Sequence, residues 1–170
     1  VTAANTAIVP MALETAKAQA NPTPSFVFKE VQAGADDKIY VAEGYDADVL
    51  IRWGDPILPG APEFDAHKQT AEKQAGQFGY NNDYLGYLPI DGRSDHGLLC
   101  VNHEYTNEEL MFPELPGRQD MSRSYGHNFK HMTQALADIE MMAHGGSVIE
   151  IRKTNGKWQV VKDSKYARRI

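Results

Sequence analysis

The stretch Gly97-Leu98-Leu99-Cys100-Val101-Asn102-His103-Glu104-Tyr105 holds the only cysteine of the chain and predicts a β-strand over residues 97–103. Successive side chains of a strand point to opposite faces of the sheet. In extended backbone, Cys100, Asn102 and Glu104 therefore share one face, while Val101 and His103 lie on the other. The stretch predicts a sheet with one apolar face and one face that carries a thiol, an amide and a carboxylate.

These three groups suit a mixed metal site. A thiolate favours softer or redox-active metals, whereas carboxylate and carbonyl oxygens favour hard cations. The alternative is structural, because a lone cysteine after two leucines is commonly buried and behaves as a small hydrophobic residue. His103 points away from the other three, so we predict a core or edge histidine rather than a ligand.

Composition and net charge indicate which classes of protein this chain can belong to. Of the 170 residues, 42% are hydrophobic and 24% charged, which is typical of a soluble domain or of part of a larger one. The net charge of -6 argues against nucleic acid as the main partner, since phosphate binding needs a basic face. The short basic tail at 165–170 is interpreted as a strand end.

The first 20 residues resemble the end of a secretory signal peptide. An apolar stretch at 3–13 leads to the small-x-small triplet Ala18-Gln19-Ala20, after which a mature chain would begin at Asn21. The alternative is a weak amphipathic helix over 12–20. The apolar run is too short to cross a bilayer. In an exported protein an unpaired thiol is a liability unless it is buried or metal-bound, which favours Cys100 as a ligand.

Short strands separated by turn residues make up most of the remaining chain. Strands are predicted at 26–31, 39–42, 47–53, 97–103, 147–152 and 157–161, and one helix at 131–143, while residues 78–90 are aromatic and β-prone. Asn155-Gly156 is the strongest hairpin signal. Strands at intervals of about ten residues favour a sandwich, a barrel or a propeller.

Several segments together resemble the PhoX-type secreted alkaline phosphatases over about residues 26–170. They lie at 44–55, 78–84, 98–107 and 143–151, with Arg168-Arg169-Ile170 at the end. The resemblance implies a mainly β fold in which residues 21–170 form the N-terminal part of a truncated β-propeller with one short helix. It also implies export through the twin-arginine route to the periplasm or the medium, the arginine pair lying upstream of Val1.

The same resemblance implies a site that uses iron and calcium to hydrolyse phosphate monoesters. Cys100 matches the position of an iron ligand. Glu104 and Asn102 would either bind the metals through oxygen or contact the residues that do. Further metal ligands would come from later blades, so we expect this chain to be inactive alone and assign no catalytic residue. The complete protein is expected to be monomeric. Two alternatives remain: a non-catalytic propeller module that binds a partner, and a structural β domain with Cys100 buried.

Overall fold

The computed structural model describes residues 29–115 and 131–170. The predicted signal remnant at 1–20 and the start of the strand predicted at 26–31 lie outside these residues. The chain divides into two compact units, 1–47 and 48–170.

The described part of the first unit, residues 29–47, forms no helix or strand. Its local order comes from a turn in which the Tyr45 backbone N–H donates to the Ala42 carbonyl, and from a Tyr40 hydroxyl that donates to Asp36. The strand predicted at 39–42 is therefore wrong. Ile39 is 75% exposed, and among the described residues the β-branched pattern here has neither a pairing strand nor a core to pack on.

The second unit is built on an open antiparallel sheet. Its elements are α1 (Ala71–Gln74), β1 (Asn82–Pro89), β2 (His96–His103), α2 (Glu108–Met111), α3 (Gln134–Ala143), β3 (Gly145–Thr154), β4 (Lys157–Val160) and β5 (Arg168–Arg169). The strand order is β1-β2-β3-β4, and β5 also pairs with β3, at the end that β4 leaves free. β2 and β3 are thus the central strands of the sheet.

Turn chemistry sets the β3–β4 hairpin as predicted. Asn155 and Gly156 have φ values of 51° and 82°, which is the left-handed backbone that a two-residue hairpin turn requires. Asp91 and Gly92, between β1 and β2, also have positive φ values. The predicted strand at 97–103 and helix at 131–143 are confirmed with small shifts of their bounds.

The core lies on one face of the sheet. Val101, Ile149 and Ile151 are 5% exposed or less and pack with Ile57 and Phe78. A second cluster joins α3 to the α2 region through Ile139, Ala143, Met111 and Phe112. α3 begins after Thr133, whose hydroxyl accepts a hydrogen bond from the Leu136 N–H, as N-cap residues do.

The strand predicted at 47–53 is also wrong. Leu50 and Ile51 do pack against the sheet core, but their backbone is irregular. The segment turns at Gly54, whose φ is 86°, and Asp55 accepts a hydrogen bond from the Arg52 N–H. Two four-residue helices, α1 and α2, add to the single helix that we predicted. Within the described ranges no helix is long and apolar enough to cross a membrane.

Candidate metal site

The structure confirms the two faces predicted for β2. Val101 and His103 are 4% and 2% exposed on the core side, whereas Cys100 is partly buried and Asn102 is exposed on the other side. Glu104 is exposed and lies one residue beyond β2, where its backbone N–H donates to the Asn81 carbonyl at 3.0 Å. The sheet therefore brings Cys100 and Asn102 to one face and places Glu104 at the end of that strand.

A glycine stands beside each of the two candidate ligands in β2. Cys100 is opposite Gly86 of β1, and Asn102 is opposite Gly146 of β3. A Cβ atom on Gly146 would have the Val101 carbonyl as its nearest neighbour, at 3.5 Å, which is an ordinary contact. The sheet thus leaves room beside Asn102, whereas beside Cys100 the exposed Tyr84 ring lies 3.3 Å from a Cβ built on Gly86.

The donor chemistry fits a thiolate ligand for iron and oxygen ligands for calcium. It does not form a closed set by itself. Across residues 29–115 and 131–170, no three His, Cys, Asp or Glu side chains are close enough to hold a metal ion. A complete site on this face therefore needs donors in addition to these residues.

Beneath the candidate ligands, His103 is held by a buried hydrogen-bond network. Its Nε2 lies 2.7 Å from the Ser147 hydroxyl and accepts from the Gly79 N–H, and its Nδ1 lies 3.1 Å from Asn82 Oδ1. Since the Asn82 oxygen can only accept, the imidazole carries its proton on Nδ1. Burial, then the charge of Arg169, lowers the pKa of His103 to about 4, against a smaller opposing effect of a backbone hydrogen bond at Tyr80. His103 is thus a neutral core histidine, as predicted.

Arg169 extends the network to the end of α3. Its guanidinium donates to the Gly146 carbonyl at 2.9 Å, the Ser147 hydroxyl at 3.2 Å and the His144 carbonyl at 3.0 Å, and also to the Met142 carbonyl. A cation is favourable at a helix C-terminus, where carbonyls lack partners. Burial lowers the pKa of Arg169. Arg169 is therefore a structural cation that ties α3 to β3.

A second cluster fastens the segment 161–167 to the sheet. The Glu150 carboxylate receives the Ser164 hydroxyl and lies 2.6 Å from His96 Nε2, and the Glu150 carbonyl accepts from the Val161 N–H. The hydrogen bond from Ser164, followed by that from His96, lowers the pKa of Glu150. Because Ser164 bonds the carboxylate and not the imidazole, this group is not arranged as a serine nucleophile with its base.

Comparison with known proteins identifies the family of this chain. The model of the family "Alkaline phosphatase PhoX" matches residues 26–170. The chain belongs to the PhoX alkaline phosphatase family. A search of curated proteins found no match.

Among solved structures, the chain is similar to Pseudomonas fluorescens PhoX in complex with vanadate, a transition state analogue. The two are 33% identical with a TM-score of 0.69, over 84% of this chain and 23% of the solved one. The chain thus spans about a quarter of that PhoX chain. The match confirms the predicted fold class: a mainly β segment whose open antiparallel sheet corresponds to part of a propeller.

Proposed function

We propose that this chain is the N-terminal part of an exported PhoX phosphatase that hydrolyses phosphate monoesters at an iron and calcium site. The observation that carries the proposal is that Cys100 and Asn102 project from one face of the sheet, each opposite a glycine of a neighbouring strand. Family membership supports the phosphatase class, and the related PhoX binds vanadate, a transition state analogue.

In this proposal Cys100 would hold iron as a thiolate, and Asn102 on the same face and Glu104 just beyond the strand would supply oxygen atoms. The bound metals would neutralise the phosphoryl charge and activate an oxygen nucleophile. The His103–Ser147–Arg169 network keeps β2 and β3 in register directly below. None of its members is free to act as an acid or base, because each is engaged in the network on the core side.

The proposal extends to the context of the whole protein. It would be a monomer located in the periplasm or secreted, and residues 1–20 would be the remnant of its signal peptide. Since ligands from elsewhere in the longer protein are needed to complete the site, this 170-residue chain alone is expected to show no phosphatase activity.

The test is hydrolysis of p-nitrophenyl phosphate by the full-length parent protein, before and after metal removal by a chelator. We expect activity to be lost on chelation and restored only when iron and calcium are both returned. Activity that survives complete metal removal would contradict the metal-dependent mechanism. Calcium binding without iron and without turnover would favour a non-catalytic binding module.

A further inference from the structure

The sheet register places an arginine in line with Cys100. We propose that Arg168 binds two oxygens of the substrate phosphoryl group, through the Nε–Nη2 edge of its guanidinium. This inference rests on the proposed function, because it concerns the same face of the same sheet.

Four residues form one row across the sheet. Gly86 pairs with Cys100, Cys100 with Val148, and Val148 with Arg168. Directly opposite residues of antiparallel strands project to the same face. The side chain of Arg168 therefore projects from the same face as that of Cys100. Because the two residues are two strands apart and neighbouring strands are spaced by about 4.8 Å, their Cα atoms lie about 10 Å apart. A long side chain on β5 can thus approach a ligand bound above Cys100.

Among the residues that the structure describes, the guanidinium of Arg168 has hydrogen-bond partners at Nη1 only. Its Nη1 donates to the Lys165 and Ala167 carbonyls, at 2.8 and 2.6 Å. The residue is exposed, and within 29–115 and 131–170 it has no carboxylate partner, unlike Arg93 and Arg152. The backbone contacts orient the group, and the Nε–Nη2 edge keeps its donors for an anion.

The chemistry of the substrate makes this edge useful. A phosphate monoester presents negatively charged oxygens in a geometry that matches the planar arginine fork. Arg169 cannot serve this purpose, since its guanidinium is bound to carbonyls and a hydroxyl on the core side. Arg168 is thus the arginine of the β5 pair that is placed to bind the phosphoryl group.

The experiment measures inorganic phosphate binding to the metal-loaded full-length protein by calorimetry, together with iron and calcium content and the KM for p-nitrophenyl phosphate. Arg168→Gln should weaken phosphate binding about tenfold to hundredfold, as expected for loss of charged hydrogen bonds. KM should rise while the metal content stays at the wild-type level. The phosphate affinity of Arg168→Lys should lie between those of the wild type and Arg168→Gln, because lysine keeps the charge but not the bidentate fork.

Arg152→Gln is the matched control. Arg152 projects from the same face, four residues along β3 from Val148 or about 13 Å away, so phosphate affinity should stay within about twofold. Arg168→Gln with normal metal content and unchanged phosphate affinity would overturn the inference and leave the proposed function standing. A wild-type protein with neither metal nor phosphate binding would overturn both. If Arg168→Gln fails to fold, unchanged affinity in Arg168→Lys refutes the bidentate contact.

Discussion

Cys100 lies directly opposite Gly86 across the β1–β2 pair, so the residue that faces it on β1 has no side chain of its own. The nearest atoms to a Cβ built on Gly86 belong to the ring of Tyr84, at 3.3 Å, and Tyr84 is itself 69% exposed. A cysteine that served only as a core residue would be enclosed by apolar neighbours. Here the nearest side chain over the glycine is this exposed ring, which can move aside for a metal ion.

Filling that space should remove the metal without unfolding the strand. Gly86→Val adds a β-branched side chain that strands accommodate, and the exposed Tyr84 ring can rotate away. We expect iron content to fall at least severalfold in the full-length protein, as measured by mass spectrometry. Leu88→Val, at an exposed position two residues along β1, is the control and should retain the metal. Full iron content in Gly86→Val would show that the space is not used.

The buried network can be tested at Ser147. Ser147→Ala removes the hydroxyl that lies 2.7 Å from His103 and accepts from Arg169, leaving buried polar groups with fewer partners. The expected loss is about 1–3 kcal/mol. Hydrogen exchange of the β2 and β3 amides should accelerate accordingly, while Ser164→Ala should affect mainly the segment 161–167. Unchanged protection in β2 and β3 would show that the network does not hold these strands.

Glu150 should make stability depend on acid pH. Its pKa in the folded protein lies below the ordinary value of 4.5 because Ser164 and His96 bond the charged form, with a smaller contribution from Arg152. The unfolded chain therefore takes up this proton at higher pH, so the contribution is complete above about pH 4.5 and is lost as pH falls through the folded pKa.

Glu150→Gln keeps the shape of the side chain and removes its charge. We expect it to lower the free energy of unfolding by about 1–3 kcal/mol at pH 7, and the two proteins to converge in acid, where Glu150 is protonated. Urea unfolding of the wild type and of Glu150→Gln at pH values from 7 to 3 measures the difference in unfolding free energy and its decrease in acid. An equal difference at all pH values would contradict the assigned role of the carboxylate.

The sequence alone predicted what local pattern controls. The alternation from Leu98 to His103 predicted both the strand and its two faces, and Asn155-Gly156 predicted the hairpin, because turn geometry is set by those two residues. Within the part of the chain that the structure describes, the segments 39–42 and 47–53 carry strand-forming residues but have no pairing strand, which composition cannot show. The β-propensity of these residues reflects how well they fit a pleated surface, and it does not provide a neighbouring strand to pair with.

The supporting network was beyond sequence reasoning for a related reason. His103 and Ser147 are 44 residues apart, and Ser147 and Arg169 are 22 apart, so only the register of β2, β3 and β5 brings them together. The sequence predicts a strand end in the basic tail 165–170, and β5 lies there, but the opposite faces of Arg168 and Arg169 follow from the pairing of β5 with β3. The alternation of side chains along a strand could have suggested that these two arginines lie on opposite faces, but the strand is only two residues long.

The most direct test of the central claim is the metal content of the full-length protein, wild type beside Cys100→Ser. Leu99→Ala, on the core face of the same strand, controls for simple damage to β2. We predict iron and calcium in the wild type and in Leu99→Ala, and loss of iron with loss of phosphatase activity in Cys100→Ser. Iron retained at the wild-type level in Cys100→Ser, or absent from the wild type, would contradict the assignment of Cys100 as a metal ligand.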